Sequence, residues 1–325
     1  MGRWTSTLEA LAIETVLVTG GLGCIGAGLS QLLSNAGFNV IIGSSRVDAK
    51  LPDSLKKCEL AYIDLEDIDL LVNLCYEVDY IVHLAAINAE QSQTNPELAV
   101  KVNGVGTYNL VQASVKAQVN YFLYFSTAHV YGAPLQGEID EKLLPRPLHP
   151  YAITHRLAED FLIESIRKYN LPGSILRLSN VVGLPLVKEA NCWMLFVNDI
   201  CRQAVLNREI VIKNNPYIER DFVSSEYIYK VVCDFLDHKP HSDLPIYNLG
   251  SGSSKSLLDI AQLVINRCET LFGFVPRLIH SKDKKKSVLS LFYKVEKLEN
   301  FLGLRTSDDN LIASIDEILI FFKDR

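Results

Sequence analysis

The chain has 325 residues, 48% of them hydrophobic and 22% charged, with a formal net charge of −6. That balance excludes a disordered polymer and leaves one large domain or two intimately joined ones, with ample chain to bury a core. A mildly acidic chain is not built to coat nucleic acid or an anionic membrane, and neither is expected as a partner.

The first apolar run, "TVLVTGG", predicts a short buried strand, Thr15 to Thr19, stopping at glycine. "CIGAGLSQLLSNAG" then has helical spacing and ends at Gly37, a natural cap. "NVIIGSS" and "CELAYIDL" predict a second and third strand, "DLLVNLCYEV" a helix and "VDYIVHLAA" a fourth strand. "KVNGVGTYNLVQASVKAQ" reads as a helix and "NYFLYFSTAHVYG" as a fifth strand running into a loop. The amphipathic "YAITHRLAEDFLIESIRKYN" follows, and "LPGSILRLSNVVG" is a sixth strand. Strands that alternate with helices and are apolar almost throughout predict a parallel sheet covered on both faces.

Beyond Val182 the rhythm changes. "GLPLVKEANCWMLFVNDICRQAVLN" predicts a loop and a helix. "REIVIKNNPYIERDFVSSEYIYKVVCDFL" predicts a short hairpin and a helix from about Ser224. "PIYNLGSG" is a further strand and "SLLDIAQLVINRCETLFG" a further helix. The expected fold is α/β: a Rossmann doubly wound parallel sheet with a smaller, partly interleaved C-terminal α/β substrate domain. The expected division gives 12–178, plus about 216–248, to the dinucleotide domain and 179–215 with 249–325 to the substrate domain.

"TGGLGCIG" places Gly20, Gly23 and Gly26 between the first strand and the first helix. Small residues there let the backbone approach a pyrophosphate, and the helix N-terminus offers unpaired N–H groups. The second strand ends in Ser44, Ser45 and Arg46, with no carboxylate until Asp48. Hydroxyls and a guanidinium suit a 2′-phosphate, so NADP is the expected cofactor and NAD the alternative. Asp64 and Leu65 close the third strand, where the adenine would lie.

These segments together resemble the extended short-chain dehydrogenase/reductase family of sugar-nucleotide epimerases, dehydratases and ketoreductases. The resemblance is carried by "TGGLGCIG", "VDYIVHLAA", "VNGVGTYNLVQAS", "FSTAHVYG", "IDEKLLPRPLHPYAITHRLAED", "RLSNVVGLP" and "RDFVSSEYI". It implies Tyr151 as proton donor or acceptor, Thr127 as the hydroxyl on the reacting sugar oxygen, and His155 in the third catalytic position. It implies substrate contacts from Asn180 and Arg220 to a nucleoside diphosphate sugar. It extends the cofactor site to Cys24, Ile25, Leu84, Ala85, Ala86 and Asn103, with Tyr151 and His155. It also implies a homodimer in which the helices "VGTYNLVQASVKAQ" and "YAITHRLAEDFLIESI" pair as a four-helix bundle.

The family carries a lysine four residues after the tyrosine, on the same helix face. Here His155 holds that place. A neutral imidazole still donates one hydrogen bond to a ribose hydroxyl, but it supports a phenolate less than an ammonium does. Three readings stay open: an enzyme with a slower or pH-shifted phenol, a cofactor-binding protein with a sensor or assembly role, or an enzyme using another base such as His129. The lost charge predicts a pH optimum tied to the imidazole. Ala128-His129 replaces the acid–base pair of the dehydratases, which favours epimerisation or ketone reduction.

The remaining features read as structural. Trp193, Met194 and Phe196 form an expected apolar wall, His83 a buried structural histidine, and Cys24 a small packing residue. Seven scattered cysteines without metal-ligand spacing predict free thiols in a reducing cytoplasm and no metal site. The N-terminal segment lacks a signal peptide's apolar run, and no stretch reaches about 18 apolar residues, so no membrane span is expected. The basic run at Lys282–Lys286 reads as a solvated loop.

Overall fold

The structure, a computed structural model, describes residues 13–187, 190, 192–280 and 290–324; the first twelve residues and the basic run at Lys282–Lys286 lie outside them. The first half runs β1 (Thr15–Thr19), α1 (Gly26–Asn35), β2 (Asn39–Ser44), β3 (Glu59–Tyr62), α2 (Ile68–Cys75) and β4 (Tyr80–His83). It continues through α3 (Ala89–Thr94), α4 (Pro96–Ala99), a π-helical turn at Val100–Gly106, α5 (Thr107–Ala117) and β5 (Tyr121–Thr127). Next come β6 (Gly137–Ile139), α6 (Pro150–Tyr169), β7 (Gly173–Leu178) and β8 (Asn180–Val182). The rest comprises α7 (Phe196–Leu206), β9 (Glu209–Ile212), β10 (Glu219–Ser224), α8 (Ser225–His238), β11 (Ile246–Leu249) and β12 (Ser254–Ser256). It closes with α9 (Leu257–Phe272), β13 (Arg277–His280), β14 (Leu291–Tyr293), α10 (Glu296–Leu302) and α11 (Asp308–Lys323).

Seven strands form one parallel sheet in the order β11-β7-β5-β4-β1-β2-β3. Successive side chains point to opposite faces, which is why continuous apolar runs are needed. Val16, Val18, Tyr121 and Leu123 pack with Leu29 and Leu33 of α1 and Val231 and Phe235 of α8. Leu17, Ile81, Phe122 and Tyr124 pack on the other face with Leu71 of α2, Leu110 of α5 and Leu162 of α6. This is the Rossmann-type doubly wound sheet. Strand order reverses between β1 and β4, so a crevice opens at their C-terminal ends.

Three expectations are corrected. The sixth strand is two strands: β7 stays in the central sheet, whereas β8 pairs with β10 in a separate sheet. The break falls at Ser179, whose N–H still bonds Leu249 of β11 while its hydroxyl turns to Asp221. The predicted hairpin is absent: β9 pairs with β13, and β10 pairs with β8 and β12. The linking segment instead accepts from the start of α9, Leu257 N–H to Ile218 O at 3.1 Å and Leu258 N–H to Pro216 O at 2.9 Å. Ile210 and Ile212 of β9 thereby bury against α7 and α9 in a second core. The "NCWMLF" residues also part company. Trp193 packs on Phe321 and Phe322 of α11, Phe196 faces Phe222, and Met194 is exposed. Among the described residues no helix is long and apolar enough to cross a membrane.

Candidate active site

A cavity of about 660 Å³ sits at the crevice. Gly20, Gly23, Ser44, Ser45, Arg46, Asp64, Leu65, Leu84, Ala85 and Ala86 all line it. Gln91 and Lys101, which the sequence reading did not single out, line it as well. Gly20 takes φ +66°, and a Cβ there would lie 2.9 Å from the Ala85 nitrogen. A Cβ on Gly26 would collide with the Gly20 carbonyl oxygen and lie 2.7 Å from Gly21 Cα. The loop is therefore a backbone cradle that only glycine leaves open, as close approach of a diphosphate requires.

Other predicted cofactor residues stand behind the cradle rather than in the lining. Cys24 is half-buried and its thiol meets that of Cys192; Ile25 packs into the core. Asn103 is buried in the π-helical turn, accepting from Ile87 N–H at 2.8 Å and donating to Ile87 O at 3.3 Å and Thr154 Oγ1 at 3.2 Å. It thus ties the segment after β4 to α6.

A polar brace holds the ends of β1 and β4; its centre is His83, the expected buried structural histidine, and its partners Thr19 and Thr107 were missed by the sequence reading. Thr107 Oγ1 donates to Asn103 O at 2.7 Å, so it accepts from His83 Nε2 at 2.9 Å. Thr19 then donates to His83 Nδ1 at 2.6 Å while accepting from Leu84 and Ala85 N–H at 3.2 Å each. His83 is fully buried, and burial pushes its imidazole down to about 3, so it is a neutral, oriented structural ring. Its signal in the sequence was a threonine and a histidine at the ends of otherwise apolar strands.

Tyr151 enters on the first turn of α6, after Pro150, with its N–H donating to His149 Nδ1 at 3.2 Å. One turn on, the His155 ring meets the Tyr151 ring edge-on, centroids 4.4 Å apart. His155 Nδ1 lies 2.7 Å from the Tyr124 hydroxyl, and its Nε2 is buried without a partner among the described residues. Burial pushes the imidazole down to about 4, with Glu159 opposing that shift. It is therefore uncharged at neutral pH and titrates below the range of an ordinary imidazole. Burial likewise pushes the Tyr151 phenol up to about 12.

Below this pair lies a buried ion network. Glu159 accepts from Arg177 Nε at 2.9 Å and Nη2 at 2.7 Å, from Ser126 Oγ at 2.6 Å and from Arg156 Nη1 at 3.0 Å. It pins α6 to β5 and β7, and so sets where Tyr151 and His155 stand. Thr127 ends β5, nearly buried, its Oγ1 accepting from the N–H of the exposed His129 at 3.2 Å. Asn180 commits its Nδ2 to Asp221 O at 2.9 Å. Arg220 is partly buried on β10, and desolvation lowers its affinity for its proton. Among the described residues no group of three or more His, Cys, Asp or Glu is gathered that could hold a metal ion.

The NAD dependent epimerase/dehydratase family matches residues 16–250. A dTDP-L-rhamnose 4-epimerase of Burkholderia thailandensis is 28% identical over 294 residues, 77% of this chain and 80% of that protein. A human dTDP-D-glucose 4,6-dehydratase is 29% identical over 269 residues, 78% of this chain and 73% of that protein. The solved structure of MoeE5 in complex with UDP-glucuronic acid and NAD has a TM-score of 0.76 at 27% identity, covering 94% of this chain and 99% of that one.

Proposed function

The chain belongs to the NAD-dependent epimerase/dehydratase family, and from that premise we propose that it binds a nicotinamide dinucleotide and epimerises or reduces a nucleoside diphosphate sugar. The observation that carries this reading is the buried His155 Nε2, without a partner among the described residues, beside Tyr151 on α6, in a chain whose β1–α1 loop is a glycine cradle. A buried polar atom without a partner is costly unless a ligand supplies one. The residues present therefore fit the dinucleotide. When bound, the nicotinamide supplies a hydride acceptor and donor. Tyr151 Oη carries the accompanying proton to or from the sugar oxygen. Thr127, which uses Oγ1 as an acceptor for His129 N–H, keeps its hydroxyl hydrogen for that same oxygen. His155 holds the cofactor ribose, and Asn180 and Arg220 face the substrate diphosphate.

Dehydration is disfavoured because Ala128 and His129 follow Thr127 where an acid and a base are needed. Ser44, Ser45 and Arg46 at one end of the cavity support a preference for NADP over NAD. We assign cofactor binding to 12–178 with 216–248, and substrate binding to 179–215 with 249–325. Tyr108 of α5 and Ile153 of α6 are exposed, which supports a homodimer through these helices. One observation favours a second reading, a cofactor-binding protein with little turnover: the phenol sits near 12 with an uncharged imidazole as its helix neighbour.

Calorimetric titration of the purified protein with NAD+ and NADP+, followed by assay of nucleotide sugars and their 4-keto forms, tests both. Expected are micromolar dinucleotide binding, tighter for NADP+, and turnover that Tyr151→Phe lowers by about 100-fold or more while binding survives. Absence of binding by either dinucleotide overturns the proposal. Binding without turnover on any sugar selects the second reading.

A further inference from the structure

Tyr124 has no part in the roles assigned above, yet among the described residues its hydroxyl is the one polar partner of the His155 ring. We propose that Tyr124 is a positioning residue. Its phenol donates to His155 Nδ1 and locks the imidazole as the Nε2–H tautomer, a neutral single-donor anchor for a cofactor hydroxyl. What the anchor holds rests on the cofactor-binding reading; the tautomer is a property of the free protein.

The hydrogen bond is 2.7 Å long, and the two rings lie 24° from parallel with centroids 5.9 Å apart. It has two possible directions. If Tyr124 donates, the sole group left without a partner is His155 Nε2–H. If His155 donates from Nδ1, two groups are stranded: the phenol hydrogen and the Nε2 lone pair. Tyr124 Oη makes no other hydrogen bond among the described residues, so nothing else takes that hydrogen. Tyr124 and His155 are 2% and 3% exposed, which denies both groups to bulk water. One stranded group costs less than two, and the one that remains is a donor. A ribose hydroxyl offers the matching acceptor.

The surroundings hold this arrangement. His83 stacks on Tyr124 at 5.6 Å and 26°, and its own ring is fixed by Thr19 and Thr107. The titratable groups facing His155 are Tyr124 on β5, His83 on β4, and Tyr151 and Glu159 on α6. Glu159 alone would favour an imidazolium. Its oxygens, however, already accept from Ser126, Arg156 and the Arg177 guanidinium. The anchor is therefore uncharged, where the family's lysine is a cation.

Long-range proton–nitrogen correlation spectra of the ¹⁵N-labelled free protein read the tautomer directly, with His155→Gln assigning the signal. The expected spectrum shows one neutral ring protonated at Nε2 from about pH 5.5 to 8.5. Tyr124→Phe should mix the two tautomers and weaken NAD+ binding about fivefold, the worth of one ordinary hydrogen bond. A wild-type ring protonated at Nδ1, or one titrating near pH 6.5, overturns the proposal. So does a folded Tyr124→Phe protein with an unaltered tautomer. Should Tyr124→Phe fail to fold, the wild-type spectrum decides alone. Protonated Nε2 together with no binding of either NAD+ or NADP+ leaves the tautomer standing and removes the cofactor reading instead.

Discussion

At the scale of single residues, the site depends on a few atoms that nothing larger can replace. Gly26 shows this most simply. A methyl group there would strike backbone at the Gly20 carbonyl and at Gly21 Cα, and backbone does not swing away as a side-chain end does. Gly26→Ala should therefore displace the cradle, destabilise the fold by about 1–3 kcal/mol and weaken dinucleotide binding at least tenfold. Thermal melting and calorimetry measure the two effects. A variant with wild-type affinity would remove the cradle from the cofactor site. Tyr151 and His155 form the complementary case, in which burial rather than contact sets the chemistry: one ring is pushed up to about 12 and the other down to about 4.

At the scale of elements, α6 is the part that aligns the chemistry, and its anchor is Glu159. The carboxylate is fully buried and meets a guanidinium that is 1% exposed. Such a pair adds little net stability, but breaking it strands a charge. Glu159→Ala should cost about 3–5 kcal/mol through the uncompensated Arg177. Urea unfolding would show this as a lowered midpoint at unchanged slope. A loss below about 1 kcal/mol would mean that Arg177 finds other partners. The π-helical turn at Val100–Gly106 works in the same sense from the other side, since Asn103 ties α6 to the segment after β4.

For the whole molecule, two buried neutral histidines couple stability to pH. His83 and His155 are pushed down to about 3 and about 4, both chiefly by burial. In the unfolded chain each would titrate near 6.5. Between about pH 6.5 and 4 the unfolded state therefore binds more protons, and stability falls as pH falls. The histidine contribution is fully present above about pH 6.5 and amounts to at most roughly 3 kcal/mol for His155. Asp221 opposes the trend, because burial raises its pKa and the folded state takes up a proton there first. Urea midpoints measured from pH 8 to 4.5 should decline, and His155→Gln should flatten the decline. Equal slopes for the two proteins would show that His155 is not buried in its neutral form.

Much of this molecule was legible in its sequence because the relevant physics is local. Continuous apolar runs broken by glycine mark buried parallel strands, and Thr15–Thr19 spans β1 itself. The glycine loop is legible because a strand and a helix flank it. The Tyr151–His155 spacing places both on one helix face whatever the helix packs against. The tertiary structure decided what depends on distant partners. β9 and β10 each look ready to pair with the other, yet β9 pairs with β13 and β10 with β8 and β12, all distant in the chain. Tyr124 meets His155 across 31 residues, and Arg177 meets Glu159 across 18. No local pattern records those distances, because an ordinary tyrosine in an apolar strand reads only as core. The sequence by itself determined that a histidine stands where a lysine is expected. Only the packing of α6 against β5 decided that this histidine is buried, uncharged and held by a phenol, since desolvation and hydrogen bonding act through space rather than along the chain.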